Sequence, residues 1–106
     1  MIDVPVPPVE VPYDEIDAGI LPVVRALNDA GFWTIESCQG HGTEDAYVVV
    51  VPTEGGPGAT AARLRDELVR QRWHENAILS VEWSLDDPTG KRAWVRVRWW
   101  GAVPYR

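Results

Sequence analysis

The densest run of chemically capable side chains in the sequence is Thr34-Ile35-Glu36-Ser37-Cys38-Gln39-Gly40-His41-Gly42. Cys38 and His41 stand three apart across a glycine. An imidazolium held that close favours the thiolate, which is how a nucleophilic or redox-responsive cysteine is made. The same pair is half of a metal site, but the remaining donors His74, Glu44, Asp45 and Glu36 follow no diagnostic ligand spacing, so no metal is assigned. Gly40 and Gly42 permit left-handed backbone, so the amides over 39–42 can turn together around an anion. Three readings stay open. Cys38 is a buried structural thiol with His41 capping the turn, or Ser37, Cys38, Gln39, Gly40, His41 and Gly42 form a ligand-binding turn, or Cys38 and His41 are a catalytic pair. In each of them Gly40 is expected to matter more than the side chain of Gln39.

A second candidate surface is Trp94, Arg96, Arg98 and Trp100, which interleave aromatic and basic side chains as a stacking platform for bases would. The plainer reading makes it a packing or partner surface, with Glu82 opposite Arg96 and the tryptophans packed under the proline arm or a second subunit, and a homodimer is expected. His74, beside Trp73, reads as a helix-dipole partner, and the arginines of 63–72 as a solvated face.

Charge narrows the partners. The 106 residues carry a formal net charge of -6, which argues against bulk double-stranded DNA binding and against anionic membranes. The balance is uneven: residues 1–54 hold ten acidic residues against one base, Arg25, and residues 55–106 hold six against nine. A small anionic ligand or RNA therefore remains open as a partner. No apolar run is long enough to span a bilayer, and the first residues lack the basic and apolar regions of a signal peptide, so a cytoplasmic protein is expected. The one cysteine cannot close an internal disulfide. Nine of the ten basic residues are Arg, which with the Ala, Val, Gly and Pro content resembles GC-rich coding, as in actinobacteria and their phages.

These residues must be positioned by a single small domain. Residues 1–12 hold Pro5, Pro7, Pro8 and Pro12 and read as an extended arm, with one α+β domain over 13–106. Ile16, Ile20, Val23, Val24 and Leu27 trace a helical stripe that ends near Ala30, with Gly31 as its C′ residue and Pro22 in its first turn. Residues 32–37 and 46–51 read as strands, the second buried on both faces. A loop at 53–58 precedes a helix over 59–72. Leu79, Val81, Trp83 and Leu85 then alternate with polar residues, as do Ala93, Val95, Val97 and Trp99 with Trp94, Arg96, Arg98 and Trp100. With Pro88 and Gly90 the link reads as a three-residue hairpin loop. That loop places Leu85, Trp83, Val81 and Leu79 opposite Ala93, Val95, Val97 and Trp99, all facing the helices, and Glu82 opposite Arg96. The order αββαββ gives a mainly antiparallel four-stranded sheet with two helices on one face, the order of a circularly permuted ferredoxin-like domain.

The stretch Leu27-Asn28-Asp29-Ala30-Gly31-Phe32-Trp33-Thr34 running into Ser37-Cys38-Gln39-Gly40-His41 resembles a pattern in small bacterial and phage proteins, where a helix ends in Gly and the chain reaches Ser-Cys-x-Gly-His. It is more distantly similar to the wybutosine-synthesis methyltransferase family, which modifies phenylalanine tRNA with S-adenosylmethionine and carries Ser-Cys-x-Gly-Arg. The resemblance implies a ligand-facing strand end at Ser37, Cys38 and Gly40, with His41 where that family has Arg. A Rossmann fingerprint, a P-loop, a zinc-protease helix and a nucleophile elbow are all missing. The leading expectation is a module that binds a small anionic ligand, a nucleotide or an RNA end at the 37–42 turn. A Cys/His-dependent or metal-dependent enzyme and a protein-interaction module on the tryptophan-rich face are the alternatives.

Overall fold

The structure is a computed structural model that describes residues 13–40, 45–86 and 92–100. The arm at 1–12, His41, Gly42 and the hairpin turn at 87–91 lie outside the described residues. After a 3-10 turn at Tyr13–Glu15, helix α1 spans Leu21–Asp29 with proline in its first turn. Gly31, at φ +94°, ends it, because only glycine reaches that backbone region without steric cost. Ile20, Val23, Val24 and Leu27 are fully buried, as the spacing predicts.

Strands β1 (Trp33–Cys38), β2 (Ala46–Val51), β3 (Ala77–Trp83) and β4 (Ala93–Trp99) form one antiparallel sheet in the order β1-β2-β4-β3. Helix α2 (Gly56–Arg70) links β2 to β3. It starts three residues before the expected position because Pro57 is accommodated in its first turn, where no amide donor is needed. Leu64 and Leu68 of α2 and the buried face of α1 meet Val48, Val50, Val95, Val97 and Trp99 in one core cluster. Both helices therefore lie on one face of the sheet, in the permuted ferredoxin-like order. β2 is the buried central strand, consistent with its unbroken valine run.

The last hairpin departs from expectation. Trp83 pairs with Ala93, Val81 with Val95, Leu79 with Val97 and Ala77 with Trp99, and Glu82 stands opposite Trp94. This register is two residues away from the expected one. A two-residue slip keeps every side chain on its own face, so alternation cannot distinguish the two. The observed register sets small Ala77 beside the indole of Trp99 and keeps the Glu82–Arg96 ion pair as a diagonal contact at 2.7 Å. A second correction concerns coverage. Val81 and Trp83 do face the helix side, but they are 36% and 53% exposed because α2 does not reach that end of the edge strand.

Candidate functional site

A β-bulge shapes the end of β1. The register shifts between Thr34 and Glu36, so that Thr34 pairs with Val50 and Ser37 with Val48, while Glu36 pairs with Val49 and Cys38 with Tyr47. In a regular strand, residues three apart face opposite sides. The extra residue, Ile35, turns Thr34 and Ser37 to the same helix-facing side. Ser37 and Cys38 remain on opposite faces, so the expected turn is divided between two surfaces.

On the helix side, Thr34 and Ser37 line a cleft of about 300 Å³ together with Glu15, Ile16, Asp17, Val24, Ile35 and Glu36. Asn28 secures its floor: its Oδ1 accepts from Thr34 Oγ1 at 3.1 Å and from Thr34 N at 3.4 Å. Acidic and hydroxyl groups line this cleft, and among the described residues no basic side chain does. Glu15, Ile16 and Asp17 come from the turn before α1, and nothing in the alternation of β1 pointed to them. The long acidic excess of residues 1–54 was the available signal.

Gln39 and Gly40 join this cleft to the turn. The carboxamide Oε1 of Gln39 accepts from Gly19 N at 2.6 Å, and Gln39 N points at Asp17 Oδ2 at 3.5 Å. A Cβ on Gly19 would overlap the Gln39 side chain, so glycine is needed there for close approach. Gly40 has φ +80°, and its N–H points at Cys38 Sγ at 3.4 Å. Two of the amides expected to cradle an anion thus already face acceptors of the chain, one of them a carboxylate.

Cys38 is half-buried on the outer face of the sheet, opposite Tyr47. The position of His41 relative to it lies outside the described residues. Tyr47 donates its hydroxyl to Glu36 Oε1 at 2.6 Å, and Arg96 stacks over its ring at 4.8 Å. The hydrogen bond to Glu36, with burial and the carboxylate charge added, pushes Tyr47 from its ordinary 10.0 up to about 12. The neutral phenol is the form favoured by folding, so its contribution is complete below pH 10 and is lost as pH rises toward 12. Ultraviolet titration is expected to show one tyrosine ionising late, and Glu36→Gln to bring it back toward 10. A wild-type chain in which no tyrosine ionises late would contradict the Tyr47–Glu36 bond.

Trp94, Arg96 and Arg98 also stand on the outer face, between the buried residues of β4, and Trp100 follows them, 50% exposed. The arginines there are engaged. Arg96 pairs with Glu82, Arg98 lies 3.6 Å from Asp45, and Arg92 stacks on the Trp94 ring at 5.3 Å. Among the described residues no group of three or more His, Cys, Asp or Glu side chains is arranged to hold a metal ion. No helix of the described residues is long and apolar enough to cross a membrane. No family model, curated protein or solved structure matches the chain.

Proposed function

We propose that the chain is a binding module whose site is the cleft between the turn before α1 and the bulged strand β1, and that it takes a small ligand with a cationic or hydrogen-donating head and a short apolar body. The observation that carries this reading is the lining: carboxylates of Glu15 and Asp17, hydroxyls of Thr34 and Ser37, apolar Ile16, Val24 and Ile35, and, among the described residues, no basic group. A volume near 300 Å³ is at the small end of ligand sites. Carboxylates that face a cleft attract ammonium and guanidinium groups and repel phosphate. The anionic ligand expected at the 37–42 turn is the competing reading. It depends on amides at 41 and 42 that would have to outweigh Asp17.

Calorimetric titration with phenethylamine, agmatine and adenosine monophosphate separates the two. The amines are expected to bind and the nucleotide not to. Asp17→Asn is expected to weaken amine binding roughly 10-fold to 100-fold, the loss of one charge-assisted hydrogen bond. Binding of the nucleotide alone, unchanged in Asp17→Asn, would place an anion at the turn and remove the proposal.

A further inference from the structure

Strand β3 closes one side of the sheet, and the phase of its hydrogen bonds is fixed at both ends. Ser84 N donates to Arg92 O at 2.9 Å and Trp100 N donates to Asn76 O at 2.9 Å, with an unbroken register between them. Bonded and non-bonded pairs alternate along an antiparallel ladder. Ile78, Ser80 and Glu82 therefore bond β4, while the backbone N–H and C=O groups of Leu79, Val81 and Trp83 point away from it. No strand lies beyond them among the described residues. The side chains of those residues face the helix side, where Val81 and Trp83 are left uncovered. Natural sheets blunt such an edge with proline, lysine or a bulge. β3 has none of these, and Glu82 is its one charge.

We propose that this edge is where two copies of the chain join, with their β3 strands antiparallel about a two-fold axis at Val81, making one eight-stranded sheet. The strand is self-complementary about that residue. Val81 meets Val81 of the partner subunit, Leu79 meets Trp83 of the partner subunit, and Glu82 meets Ser80 of the partner subunit. Each helix-side pair is apolar, and the outward N–H and C=O groups of each strand find acceptors and donors in the other. Charge selects this axis. Centring it on Glu82 would oppose two carboxylates, and centring it on Ser80 would set Glu82 against Ile78. A strand-edge contact of this length buries less than the roughly 1,200 Å² at which stable interfaces begin, so the dimer is a concentration-dependent one in the micromolar range.

Sedimentation of the full chain from low to high micromolar concentration tests this, with circular dichroism checking that each variant is folded. A monomer–dimer equilibrium is expected. Val81→Lys and Val81→Glu should each weaken it by about 100-fold or more, through like charges opposed on the axis, and mixing the two should restore a one-to-one dimer. Should either variant fail to fold, Trp83→Arg provides a second weakening from the exposed end of the strand, by setting a cation against Leu79 of the partner subunit. Trp100→Glu on the outer face should change nothing. A monomer at every concentration overturns the proposal, as does a dimer that survives Val81→Lys and is lost in Trp100→Glu. Amides of Leu79, Val81 and Trp83 that are protected from exchange even at the lowest concentration, and exposed on removal of residues 1–12, would assign the edge to the chain's own N-terminal segment and overturn it equally.

Discussion

Trp99→Ala is expected to lower the stability of the chain by about 3–5 kcal/mol, a large part of the roughly 5–15 kcal/mol that holds a small domain together. Trp99 is the largest fully buried side chain, at 0% exposure. Its indole fills the space between β2, β3 and the end of α2, and its Nε1 donates to Trp73 O at 2.7 Å. Truncation removes a bulky apolar group from a core that cannot collapse around the gap, and leaves the Trp73 carbonyl without that donor. Trp99→Phe keeps most of the packing and loses only the donor, so a smaller loss of about 1–3 kcal/mol is expected. Trp100→Ala, one residue on and on the other face, should cost under about 1 kcal/mol, as surface changes do. Chemical denaturation of the three variants checks the order. Equal losses at 99 and 100 would contradict the strand phase on which both sheet faces depend.

The second large effect belongs to the junction of Gly19, Gln39 and Gly40. Gly40→Val forces a β-branched residue to φ +80°, at about 1–3 kcal/mol. Gln39→Ala is expected to cost about as much, because it leaves Gly19 N without its acceptor. Gly19→Ala drives a methyl into the Gln39 carboxamide, and the strain disappears when that carboxamide is removed. The double variant Gly19→Ala with Gln39→Ala should therefore be more stable than the sum of the two single losses predicts, by at least about 0.5 kcal/mol. A double-mutant cycle measures this directly, and strict additivity would mean that the two residues do not touch.

The elements were legible wherever the periodicity had a single physical solution. The α1 stripe and the alternation of β4 each bury one face, the valine-rich central strand is buried on both, and each lies where its pattern places it. Legibility failed where two arrangements satisfy the same pattern. A two-residue slip in the β3–β4 hairpin preserves alternation and exchanges only neighbours, so the pattern alone could not choose between the two registers. The bulge at Ile35 was hidden for a similar reason: a short strand of mixed polarity has no clean period to interrupt. That bulge shapes the cleft, since it brings Thr34 onto the face of Ser37 and takes it off the face of Cys38. Glu15 and Asp17 reach the cleft by tertiary packing alone. Gln39, expected to matter less than its neighbouring glycine, proved to be the fastener between β1 and the segment before α1.

The most direct test of the cleft is a two-dimensional amide NMR titration of the wild-type chain with phenethylamine, repeated with adenosine monophosphate. Saturable shifts with the amine are expected to centre on Asp17 and on Thr34, Ile35 and Ser37, and to need roughly 10-fold to 100-fold more amine in Asp17→Asn. Shifts that appear only with the nucleotide, centred on Gly40 and its successors and leaving Asp17 and Thr34 unmoved, would contradict that expectation.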